Sequence, residues 1–114
     1  MDAKTRNTAR SIGTYIRRRR EASGLTQDDV GERLGIGGEA VSRMERGLTI
    51  PTIIRLLDLA EIFGCPVEDL LREASSRAID QAGRVEVLLD ALSADDREMV
   101  TDVVRLLCDR LHSR

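Results

Sequence analysis

Side chains able to grip a polyanion cluster between residues 25 and 47. Thr26 and Gln27 stand at the expected start of one short helix, and Glu39, Ser42, Arg43 and Arg46 lie along the next. Leu34-Gly35-Ile36-Gly37 between them reads as a tight turn. Two short helices fixed at an angle by such a turn can lay the first across a phosphate backbone and the second into a major groove. Thr26 would then offer its hydroxyl and backbone N–H to phosphate, and Gln27 its amide. Arg43 is the main side chain able to read a base, with Ser42 and Glu39 secondary. A guanidinium suits the paired acceptors of guanine, and a carboxylate can accept from the amino group of cytosine. Arg46 completes the polar face. Gly37 and Gly38 open the second helix without a side chain, which implies either close approach of backbone to DNA or simple drift.

Enzyme chemistry finds few footholds. The single histidine, His112, lies near the C-terminal end, and Cys65 and Cys108 are separated too widely for a metal-ligand pattern. They read as two reduced, partly buried thiols. Residues 35–40 fit the dinucleotide pattern G-x-G-x-x-A, but that pattern must follow a strand, and 26–34 reads as helix. Asp28-Asp29 and Asp95-Asp96 fall in first helical turns, where the helix dipole favours acids without any catalysis. No catalytic residue, metal site or cofactor is therefore expected.

The elements that must position the polar face follow from period and punctuation. Residues 1–8 read as frayed. Ile12, Tyr15, Ile16 and Ala22 give a first helix over 9–22, stopped by Ser23-Gly24. Thr26 caps the second helix, with Val30 and Leu34 inward, and Gly35 ends it. Ala40, Val41 and Met44 face inward from a third helix ending at Gly47. A fourth helix over 53–63 presents Ile53, Leu56, Leu57, Ala60 and Phe63, and Pro66 opens a short fifth with Val67, Leu70 and Leu71. Residues 75–83 are polar and serve as a linker or a weak helix start. Beyond them a helical hairpin over 84–112 is expected, its second helix introduced by Ser93 and Asp96 as a capping box. The architecture is all-α: a five-helix domain over 9–74, a linker over 75–83, and a C-terminal helical pair.

The overall composition agrees with that plan. Tyr15 and Phe63 are the only aromatic residues, so the core is aliphatic, and platforms for stacking single-stranded bases are missing. The formal net charge is −2, but residues 1–50 carry ten Lys/Arg against seven Asp/Glu, whereas 51–114 carry eight against thirteen. Phosphate attraction belongs to one face, so a basic first half is compatible with DNA. The run Arg17-Arg18-Arg19-Arg20 points in four directions on a helix and forms no single patch; Arg17 and Arg18 remain phosphate candidates. No signal stretch or apolar run long enough for a membrane span is evident, so a cytoplasmic protein is expected.

Taken in order, Arg20, Leu25-Thr26-Gln27, Leu34-Gly35-Ile36-Gly37, Ser42-Arg43-Met44-Glu45-Arg46-Gly47, Pro51 and the 56–67 segment resemble the phage-repressor-like (Cro/repressor, XRE-type) helix-turn-helix family. The likeness covers residues 12–71 and implies a five-helix lambda-repressor-like fold. It also implies that Gln27 contacts phosphate and can brace a base-reading side chain. Arg20 and Glu45 match a pair that in the family ties the first helix to the end of the recognition helix. Departures are Gly37-Gly38-Glu39, where a Ser or Thr cap is usual, and Leu48-Thr49-Ile50, which lacks basic residues.

The resemblance implies a sequence-specific regulator of transcription, a repressor binding a palindromic operator on double-stranded DNA, in a bacterial, prophage or plasmid setting. Val85, Leu88, Leu89, Leu92, Met99, Val103, Leu106 and Leu107 form a face too large to leave in water, which assigns the C-terminal helices to a homodimer interface. The rival reading is an antitoxin-like module whose C-terminal helices mask a different protein.

Overall fold

The computed structural model describes residues 1–72 and 74–113. Seven helices follow one another there, without a strand among the described residues: α1 (Ala3–Ala22), α2 (Gln27–Leu34), α3 (Gly38–Glu45), α4 (Ile53–Phe63), α5 (Val67–Arg72), α6 (Ala78–Asp90) and α7 (Ala94–His112). The chain divides into two units, Met1–Gln81 and Ala82–Arg114.

Helix α1 starts at Ala3, not at residue 9. The Asp2 carboxylate accepts the Thr5 N–H at 2.7 Å and caps the helix, and those bonds hold its pKa below the ordinary value. The first buried side chain is Ala9. Hydrophobic period thus marked where burial begins, while the cap decides where the helix begins. Helix α2 carries a full capping box: the Thr26 hydroxyl accepts from Asp29 N at 3.0 Å, and the Asp29 carboxylate accepts from Thr26 N at 2.9 Å. Helix α2 ends on Gly35, whose φ of 75° is the left-handed conformation that glycine adopts without strain.

Nine residues form the core of the first unit, with Ile16, Val30, Val41, Leu59 and Leu70 its largest fully buried side chains. Two glycines let the helices come close enough to enclose it. A Cβ on Gly13 would strike the carbonyl oxygens of Met44 and Glu45, so α1 can lie against the end of α3 only with glycine there. A Cβ on Gly31 would come within 2.7 Å of the Ile36 carbonyl, so the same holds for the turn folding back on α2.

In α4 the inward residues are Leu56, Leu59 and Ala60, with Phe63 half-buried beside them. Ile53 and Leu57, expected inward, are instead exposed, Ile53 at 76%. Ile54 is exposed with them. The helix carries more aliphatic residues than one buried stripe can hold, and the stripe at spacing three and four from Leu56 is the one that packs.

Residues 78–83, expected within a linker or a weak helix start, are the start of α6. Ser75 fixes that start: its hydroxyl accepts from Arg77 N at 3.1 Å and donates to Asp80 Oδ2 at 2.6 Å.

The second unit is of a different kind. Helices α6 and α7 bury no side chain. Ser93 caps α7 by accepting from Asp96 N at 3.2 Å, and the Arg97 guanidinium donates to the Leu89 carbonyl at 2.8 Å. Leu89, Leu92 and Val100 are half-buried, whereas Val85, Leu88, Met99, Val103, Leu106 and Leu107 are exposed, Leu106 at 69%. No described helix is long and apolar enough to cross a membrane.

Candidate nucleic-acid interface

Glu45, at the C-terminal end of α3, is the only buried charged residue among those described. A buried carboxylate must be paired and hydrogen-bonded to be tolerated. Arg20 supplies a two-pronged partner: Nε donates to Oε2 at 2.6 Å and Nη2 to Oε1 at 3.1 Å. The side chains are 12% and 2% exposed. The remaining Arg20 nitrogen, Nη1, donates to the Leu25 carbonyl at 2.9 Å. One guanidinium thus joins α1, the approach to α2 and the end of α3. Its bond to Glu45 raises its pKa further, so it stays charged at every working pH.

Gln27 belongs to the same cluster. Its Nε2 donates to Glu45 Oε1 at 3.0 Å, which fixes the amide at the first residue of α2. An amide nitrogen carries two hydrogens. One is engaged by Glu45, and the other is left for an acceptor such as phosphate. Thr26, beside it, is exposed, and its hydroxyl already accepts from Asp29 N. These bonds hold the Asp29 pKa below its usual value, the backbone bond contributing most.

Helix α3 buries Val41, Met44 and Glu45, which turns the opposite ridge outward. That ridge is Glu39, Ser42, Arg43 and Arg46, with Arg43 57% exposed along its side chain. The four form one network. Arg46 Nη2 donates to Glu39 Oε1 at 3.2 Å, and Arg46 Nε reaches the Ser42 hydroxyl at 3.2 Å. Arg43 Nε stands 3.7 Å from the same Glu39 oxygen. Beside Arg43, a shallow groove of about 260 Å³ runs between Ala40 and Met44 on one side and Thr49 to Thr52 on the other.

The two glycines at the start of α3 differ. A Cβ on Gly37 would meet open space, and the helix has no side-chain cap there. A Cβ on Gly38 would strike the Asp28 carboxylate. The struck group is the end of an exposed, rotatable side chain, so glycine at 38 eases the approach of the first turn of α3 to the first turn of α2 without being required for it.

Arg17 and Arg18 are not gathered with these groups. Arg17 Nε is bonded to Glu21 at 2.8 Å on exposed α1. Arg18 lines a depression with Arg10, Ser11, Thr14 and Tyr15, none of them from α2 or α3. Of the two thiols, Cys65 is half-buried, while Cys108, expected partly buried, is exposed. No group of His, Cys, Asp and Glu able to hold a metal ion occurs among the described residues.

Known proteins share this arrangement. A helix-turn-helix family model matches residues 16–70. An uncharacterised HTH-type transcriptional regulator of Sinorhizobium fredii, y4dJ, is 40% identical over 53 residues, 46% of this chain and 69% of that protein. A second uncharacterised regulator, from Sinorhizobium medicae, is 32% identical over 63 residues, and the chain spans only 45% of its length. Among solved structures, the P22 c2 repressor in complex with a synthetic operator superposes with a TM-score of 0.51 at 32% identity, over 54% of this chain and 94% of the repressor. The clp gene regulator ClgR from C. glutamicum gives 0.55 at 25% identity, over 59% and 87%. With the matched segment running from Ile16 to Leu70 across the braced pair α2 and α3, the chain belongs to the helix-turn-helix family of XRE-type transcriptional regulators.

Proposed function

We propose that the protein binds a specific double-stranded DNA sequence as a homodimer and represses transcription from that site. The observation that carries this reading is the outward ridge Glu39, Ser42, Arg43 and Arg46 on a helix whose other face is locked by a buried ion pair. Such a helix holds its side chains in a fixed register against base edges. Gln27 and Thr26 contact phosphate at the N-terminus of α2, where backbone N–H groups favour anions. Gly37, open and without a side chain, allows the backbone of α3 to approach DNA. Arg17 and Arg18 are at most peripheral phosphate contacts.

The repressor role leans on the P22 c2 likeness, and the bacterial cytoplasm on the rhizobial relatives. The exposed aliphatic residues of α6 and α7, namely Val85, Leu88, Met99, Val103, Leu106 and Leu107, are assigned to the contact between copies, with Leu89 and Leu92 beside them. A two-fold dimer sets two recognition helices about 34 Å apart, one turn of DNA, and so calls for a palindromic operator. Selection of random duplexes by the full chain tests this. The expected result is a consensus of two inverted half-sites about ten base pairs apart; recovery of no consensus would overturn it.

A further inference from the structure

We infer that Glu39 is a positioning residue for the recognition helix: it selects which arginine reads DNA. This rests on the reading that α3 enters the major groove.

The two arginines on the ridge meet Glu39 through different atoms. Arg46 contacts it with Nη2, a terminal nitrogen, and turns Nε onto the Ser42 hydroxyl. Both of those nitrogens belong to the edge a guanidinium uses for two-pronged contacts. Arg46 is thereby tied back onto its own helix by hydrogen bonds, with only Nη1 and one Nη2 hydrogen left over. Arg43 meets the same carboxylate oxygen through Nε, at 3.7 Å. Among the described residues its two terminal nitrogens make no hydrogen bond, and they are the pair that matches O6 and N7 of guanine.

One carboxylate therefore keeps Arg46 folded back and steadies the stem of Arg43 while leaving its fork available. A free arginine beside a duplex goes to phosphate, the commonest acceptor and one that carries no sequence information. Restraining two cations on the ridge lowers attraction to any DNA and preserves the fraction that depends on sequence. Both arginines meet Oε1, so Oε2 keeps acceptor sites that a cytosine amino group would need, and the selected consensus is what separates reading from positioning.

The test is Glu39→Gln in the full chain, which keeps size and hydrogen-bonding capacity and removes the charge. Glu39 is exposed, so the variant folds, and its circular dichroism melt serves as the check. Binding to a random-sequence duplex, measured against salt, should tighten by about three- to tenfold at low salt, with a salt slope steeper by about one. The selected consensus should become less stringent at the Arg43 position without changing its preferred base. In an Arg46→Gln background the same change should give a smaller gain. A variant that alters the preferred base at one position, with unchanged affinity for random DNA, makes Glu39 a cytosine reader and overturns the inference. Unchanged affinity and unchanged consensus overturn it equally. Failure of the unmutated chain to select any sequence is a different result, and counts against DNA reading as a whole.

Discussion

The two units carry aliphatic residues in comparable supply and dispose of them in opposite ways. In Met1–Gln81 the aliphatic residues close over one another, and five side chains are fully buried. Among the described residues of 82–114 none is buried, although α7 alone carries Met99, Val103, Val104, Leu106, Leu107 and Leu111 exposed. An amphipathic helix acquires most of its stability from the surface its apolar stripe covers, so a well-capped helix with an uncovered stripe is an unfinished element. The first unit is finished by its own sequence. The second leaves its apolar stripe uncovered, and a second copy is the proposed cover.

Core truncation gives the widest contrast. Leu59→Ala, at a site with no exposure, should cost about 2–5 kcal/mol. Leu106→Ala, in dilute protein, should change stability by less than about 0.5 kcal/mol. Chemical denaturation of both variants at low concentration checks this, and equal losses would dissolve the distinction.

Glu45→Ala tests the brace. Removing Glu45 leaves Arg20, only 12% exposed, with the Leu25 carbonyl and the more distant, exposed Glu21 at 3.9 Å in place of its bidentate partner, for a loss of about 3 kcal/mol. Gln27 also loses its anchor, so affinity for all sequences should fall beyond what the stability loss explains. A variant as stable as the parent would show that the ion pair does not tie α1 to α3.

Arg43→Ala should cost about 1–3 kcal/mol of binding to the selected site and relax preference at one base position. Gln27→Ala should weaken binding to all sequences alike, because a phosphate contact positions without specifying. Repeating the selection with each variant separates the two; an unchanged consensus for Arg43→Ala removes it as the reader.

Thr26→Ala should cost about 1 kcal/mol, the usual loss of an N-cap, as read by thermal melting. The same cap gives a small acid sensitivity. The folded pKa of Asp29 is lowered, so its contribution is present above the unfolded carboxylate value and is lost as pH falls through the folded one. Asp29→Asn, which removes the titrating carboxylate, should therefore flatten the stability profile below about pH 4, near the ordinary aspartate pKa.

The legible parts of this molecule were those announced by local signals. Gly35 and Gly64 end helices in the left-handed conformation, Thr26 caps α2, and spacing put Val30, Val41 and Met44 inside. Arg20 and Glu45, 25 positions apart, were paired through family likeness, since nothing local links them. The parts that were missed depend on contacts distant in sequence or on surplus. Gly13 and Gly31 are required by backbone neighbours that only the folded chain supplies. The choice of Leu59 over Ile53 and Leu57 for the core of α4 arises because that helix has two apolar stripes and room to bury one. Asp2 could have been read as a cap, since an acid precedes an uninterrupted helical run.

The exposed Ile53, Ile54 and Leu57 also give the account its sharpest rival, a contact between copies located in the first unit. Sedimentation of the chain shortened to residues 1–74, beside the full chain at equal concentration, decides between them. The account predicts a helical, monomeric fragment that loses most of its affinity for a palindromic duplex, against a dimeric full chain. A fragment that still sediments as a dimer contradicts it and moves the interface to α4.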